Sequence, residues 1–176
     1  MKQFGSNKLL FVVMIGVFLP VSLAIDCKEV FQRKEELGNC CTAASFISLQ
    51  NLKSAMDAQE GNPHEKFFCG SQSILQEQNI MNGDNINVDA VKQKTEGFDD
   101  GWKQKSLQLI DACVQQAEAA AAEMAQRGSP SRQCQPKAGM FIFCVRMQTI
   151  RNCPADKWNS SDVCEKLRTG DCDNGH

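Results

Sequence analysis

Residues 113–164 read CVQQAEAAAAEMAQRGSPSRQCQPKAGMFIFCVRMQTIRNCPADKWNSSDVC, and this stretch decides the fold. Its first part continues a stripe of Leu107, Ile110, Val114, Ala117 and Ala121, spaced three or four residues apart, which predicts a long helix over 101–126. The alanines at 119–122 support it, because alanine has the best intrinsic helix propensity. Arg127-Gly128-Ser129-Pro130-Ser131 breaks the pattern, and after Pro136 comes Met140-Phe141-Ile142-Phe143-Cys144-Val145. That run alone fits a buried strand, but no partner strand is evident, so a buried helix running through Met147 and Ile150 is expected. Asn159-Ser160-Ser161-Asp162 offers side-chain acceptors for a last short helix through Leu167, ended by Gly170.

Upstream, Ala44, Ile47, Leu49, Leu52, Ala55 and Met56 predict an amphipathic helix over 41–56, closed by Gly61-Asn62-Pro63. A second helix carries Phe67, Phe68, Ile74 and Leu75. The Asn-rich segment 79–87, with Gly83-Asp84, reads as a loop, and a short helix over 88–95 follows it. The expected fold is all-α: a compact, disulfide-stapled bundle of about six or more helices around an apolar cavity.

Lys2 and Lys8, the apolar run 9–19, Pro20 and the ending Ser22-Leu23-Ala24 read as a secretory signal over 1–24. The run is too short to span a bilayer comfortably, so stable membrane insertion is not expected. Removing it leaves residues 25–176 as a single domain with 17 basic and 21 acidic residues, a formal charge of −4. An acidic chain without a basic run does not suit nucleic acid.

All ten cysteines, Cys27, Cys40, Cys41, Cys69, Cys113, Cys134, Cys144, Cys153, Cys164 and Cys172, follow that signal. An even count in an oxidising compartment reads as up to five disulfides. A thiolate metal cluster is the weaker reading, because His64 and His176 are the only histidines and no Cys-x-x-Cys occurs. No metal or other cofactor is expected. Adjacent cysteines rarely bond to each other, so Cys40 and Cys41 are expected to tie to two different segments.

Catalytic chemistry finds little support. His64 follows Pro63 at a helix start and reads as a solvated surface residue, and His176 ends the chain. Secreted phospholipases also carry vicinal cysteines, with a catalytic histidine three residues after the second, but Ala44 stands there. Asp99-Asp100 reads as favourable charge at a helix start rather than a metal site. Asn159-Ser160-Ser161 matches the acceptor for N-linked glycosylation. What remains is apolar material: Phe67, Phe68, Leu75, Ile110, Val114, Met140, Phe141, Phe143 and Met147 are the candidate ligand-binding residues of an internal pocket.

The spacing Cys113-x20-Cys134-x9-Cys144-x8-Cys153-Pro154-x9-Cys164 resembles the Plus-C subgroup of insect odorant-binding proteins. The vicinal pair, the early Cys27 and the late Cys172 extend the resemblance over most of the chain, with a C-terminal extension. One departure is Ser73, where the family usually has a cysteine four positions after the one at Cys69. Carried over residue by residue, the resemblance implies the bridges Cys69–Cys144 and Cys113–Cys153. It further implies a non-enzymatic carrier of small hydrophobic ligands, such as odorants or pheromones, secreted into sensillar lymph or another extracellular fluid. An odorant receptor or a second odorant-binding protein is the implied macromolecular partner. The competing readings are a solid-core secreted protein acting through a protein partner, a lipid hydrolase, and a plant-type lipid-transfer protein whose Cys-x-Cys element is absent here.

Overall fold

A computed structural model describes residues 25–127, 134–170 and 172; the signal over 1–24, Ser129 to Ser131 and His176 lie outside them. Among the described residues there are eight α-helices: α1 Cys27–Gln32, α2 Lys34–Asn39, α3 Leu49–Asp57, α4 Pro63–Glu77, α5 Val88–Gln93, α6 Asp100–Gln126, α7 Pro136–Arg151 and α8 Asp162–Arg168. A two-stranded antiparallel hairpin, β1 Met81–Asn82 and β2 Asn85–Ile86, joins α4 to α5. Where the sequence reads as a loop, Gly83 takes the positive φ of 57° that lets two short strands turn back on each other.

The helix starts follow local capping chemistry. Asn62 and Glu65 form a reciprocal capping box at α4, and Pro63 occupies the first turn, where its missing N–H costs nothing. The Asp99 carboxylate accepts from the Trp102 N–H at 2.9 Å and begins α6, with Asp100 beside it in the first turn. Ser161 does the same for α8.

The expected helix over 41–56 is corrected: α3 starts only at Leu49, with Ser48 as its cap. Residues 41–48 are non-helical because other segments claim their backbone groups. The Thr42 N–H donates to the Lys157 carbonyl at 2.9 Å, and Cys41 forms an isolated antiparallel bridge with Trp158. The Ala44 carbonyl accepts from the Trp102 indole at 2.8 Å.

Helices α4, α6 and α7 enclose the main core, where Leu75, Ile110, Phe141 and Ile142 are at most 1% exposed. Its packing relies on glycine at two crossings. A Cβ at Gly70 would lie 2.7 Å from the Met56 backbone nitrogen, so α3 and α4 could not approach as they do. A Cβ at Gly139 would run into the Phe68 ring. A second core, of Ile25, Val30, Ile150, Val163 and Leu167, joins the N-terminal helices to α8 and the end of α7.

All ten cysteines are paired: Cys27–Cys172, Cys40–Cys164, Cys41–Cys153, Cys69–Cys134 and Cys113–Cys144. Two expected pairings, Cys69–Cys144 and Cys113–Cys153, are therefore corrected. Cys144 sits mid-way along α7 against α6, with its Cα 5.5 Å from that of Cys113, so these packed helices are cross-linked at their contact. Cys69 on α4 instead reaches Cys134, just ahead of α7, at a Cα separation of 5.1 Å. Cys153 is taken by Cys41, and Cys40 goes to Cys164, so the vicinal pair does bind two separate segments. Three bridges thus tie the N-terminal segment to the C-terminal one. Ser73 accepts a hydrogen bond from Gln59 at 3.4 Å.

Candidate functional site

Helix α7 presents two different faces. With about 100° of rotation per residue, Ala138, Phe141, Ile142 and Val145 point into the main core, whereas Met140, Phe143, Met147 and Arg151 share another side. That second side forms one wall of an open cleft of about 350 Å³. Gln116 and Ala120 of α6, Phe31 of α1 and Cys172 complete its lining. The volume lies within the range of small-molecule sites, about 300–1,000 Å³.

The lining is apolar with a polar margin. Phe143 is 49% exposed and Phe31 41%, the two most exposed large hydrophobic side chains among the described residues. Each leaves much of an aromatic ring in water, although the chain folds around a well-filled core elsewhere. The flexible thioethers of Met140 and Met147 flank Phe143 along α7, where they can adapt to differently shaped guests. Gln116, Gln148 and Arg151 supply the polar groups.

The nine candidate ligand-binding residues separate into two sets. Met140, Phe143 and Met147 line the cleft. Leu75, Ile110 and Phe141 lie in the main core, and Phe67, Val114 and the inner side of Met140 pack against it. The Phe141 ring stacks on Phe46 with centroids 6.1 Å apart, and Phe68 is buried beside Phe67, with ring centroids 5.6 Å apart. Sequence reasoning did not reach Phe31, Gln116 or Arg151. The signal for Phe31 was its position four residues after Cys27, whose bridge to Cys172 holds α1 against the cleft.

The remaining candidates are placed simply. His64 is exposed at the start of α4, where its N–H donates to the Asn62 side chain at 3.0 Å. Asn159 is exposed ahead of α8, and its backbone N–H donates to the Cys40 carbonyl at 3.0 Å. No helix among the described residues is long and apolar enough to cross a membrane.

Five bridges, an all-α frame and a terminal extension locked to the first two helices define a disulfide-stapled helical protein. A family profile described as AgamOBP47-like matches residues 63–170, and the chain belongs to that family, whose members are insect odorant-binding proteins of the Plus-C type. Over 122 residues the chain is 23% identical to Odorant-binding protein 47 of Anopheles gambiae. That match covers 64% of this chain and 53% of the mosquito protein, so the chain spans about half the length of the curated relative it matches.

Proposed function

We propose that the protein is a secreted, non-enzymatic carrier that takes small hydrophobic molecules, odorants or pheromones among them, into the cleft between α6 and α7. The observation that carries this reading is the half-exposed Phe143 facing a cleft that Phe31, Met140 and Met147 also line. Family membership and the name of the mosquito relative support it.

The mechanism is desolvation. Removing apolar surface from water contributes about 25 cal/mol per Å², so covering ~200 Å² gives roughly 5 kcal/mol before the loss of ligand freedom is subtracted. Gln116, Gln148 and Arg151 at the margin orient any polar group of the ligand. Phe67, Phe68, Leu75, Ile110, Val114 and Phe141 act from beneath, fixing the pitch and spacing of α4, α6 and α7. Sensillar lymph or a comparable extracellular fluid is the proposed setting, with an odorant receptor or another odorant-binding protein receiving the ligand.

A second reading is favoured by the complete burial of Phe141 and Leu75: a solid-core protein whose cleft contacts a protein partner. Titrating the protein, secreted after expression of the full chain, with a hydrophobic fluorescent probe separates the two. The carrier reading predicts saturable binding at micromolar probe, displacement by a subset of volatile ligands, and loss of both in Phe143→Asp. No uptake by the correctly oxidised protein sinks the carrier reading and leaves the partner reading.

A further inference from the structure

A second cleft, of about 270 Å³, lies on another side of α7, between that helix, α2 and the non-helical segment 41–48. Its apolar wall is made by Leu37, Ile47, Leu49 and Ile150, with Arg146 and Thr149 of α7 reaching in beside them. Leu49 is 39% exposed there, so this cleft also leaves a large hydrophobic side chain in water.

Arg146 is half-buried and is the one charged side chain among the described residues that line the cleft. It has no hydrogen bond or ion pair with any described residue. Burial pushes its guanidinium below the ordinary value, and no carboxylate among the described residues pairs with it to counter that effect. Arginine nevertheless stays protonated, so a positive charge sits partly out of water with no partner among the described residues. Arg33, between α1 and α2, shows the contrast: it is held by Glu36 at 2.6 Å and Asp162 at 2.8 Å.

The walls are preformed. Segment 41–48 is fixed by the Cys41–Cys153 bridge, by the Thr42 to Lys157 backbone hydrogen bond and by Trp102 on the Ala44 carbonyl. Little ordering is left to be done on binding.

We infer that this second cleft binds a single-chain aliphatic carboxylate, its head group held by the Arg146 guanidinium and its tail laid against Leu37, Ile47, Leu49 and Ile150. A carboxylate accepts two parallel N–H bonds from guanidinium, which neither an alcohol nor an ester reproduces. The small volume selects a short or medium chain. This site is separate from the one lined by Phe143, and its existence does not depend on it.

The test is calorimetric titration of the intact secreted protein with octanoate and with octanol. Wild type is expected to bind octanoate, and Arg146→Gln to weaken it by at least about tenfold with octanol unaffected. Leu49→Asp, at the first position of α3, where a carboxylate suits the helix start, puts a negative charge in the cleft and is expected to abolish octanoate binding. Phe143→Asp is expected to leave it intact. The inference is overturned if wild type fails to bind octanoate, if Leu49→Asp binds it normally, or if Phe143→Asp rather than Arg146→Gln removes it.

Discussion

The Trp102 indole N–H donates to the Ala44 carbonyl at 2.8 Å, joining the first turn of α6 to a segment 58 residues earlier in the chain. Trp102 is only 4% exposed, so both the ring and its hydrogen bond are largely shielded from water. Trp102→Phe keeps most of the apolar contact but leaves the carbonyl without this donor. A loss of about 1–2 kcal/mol is expected in denaturant unfolding. An unchanged midpoint would show that this bond does not hold segment 41–48 in place.

At Gly139, α7 passes hard against the Phe68 ring of α4. A methyl group at position 139 collides with the ring, so Gly139→Ala is expected to destabilise by about 1–3 kcal/mol. Made in a Phe68→Leu background, the same change should cost clearly less, because the two residues share one space. Thermal unfolding of the four proteins of this cycle measures the coupling, and strict additivity would contradict the contact.

Non-reducing peptide mapping of the secreted protein is expected to recover Cys113 joined to Cys144 and Cys69 joined to Cys134. Recovery of Cys113 with Cys153 would restore the pairing that family resemblance implies. Removing Cys27 and Cys172 together should cost about 3 kcal/mol rather than the roughly 5 kcal/mol expected for a loop of more than a hundred residues. With Cys40–Cys164 intact, the loop that this bridge closes is only the two short segments 27–40 and 164–172.

Acid should loosen the attachment of α8. The Arg33 guanidinium, helped by the Val163 N–H, holds the Asp162 carboxyl below its ordinary value of 3.8. The Trp158 indole and the Ser160 hydroxyl similarly hold Glu165 below 4.5. Carboxyls depressed on folding stabilise the protein above their unfolded pKa, and that contribution disappears as pH falls through the folded one. The contact is therefore complete above about pH 5 and fades below roughly pH 4. Both groups are solvent-exposed, so the effect is local. The Trp158 indole N–H resonance reports Glu165 through their 2.9 Å hydrogen bond. In Arg33→Gln the Asp162 titration should move upward; an unmoved titration would contradict the pairing.

Much of this architecture was legible in the chain, for identifiable reasons. Helices α4 to α8 announce themselves by periodic apolar residues and capping side chains, such as Asn62 with Glu65 and Asp99 before Trp102. Helices α1 and α2 have six residues each, too few to show a period, and tertiary bridges hold them. The spacing of Ala44 and Ile47 fits a helix equally well, but Cys41, Thr42 and Ala44 are engaged by distant partners that no local pattern reveals. Disulfide partners depend on which helices pack together, so Cys144 could be assigned only once α6 and α7 were seen side by side. Within one apolar run, Phe141 and Phe143 look alike in sequence. Two residues of helical rotation put one ring in the core and the other in the cleft.

The most direct test of the carrier account is an NMR titration of methyl-labelled methionines with a displacing hydrophobic ligand. Met140 and Met147 line the cleft, while Met81 is buried in the main core and Met56 packs against it. The account predicts that the methyl signals of Met140 and Met147 shift saturably, with those of Met56 and Met81 unmoved. Ligand uptake that moved only Met56 and Met81, or left all four in place, would contradict a site between α6 and α7.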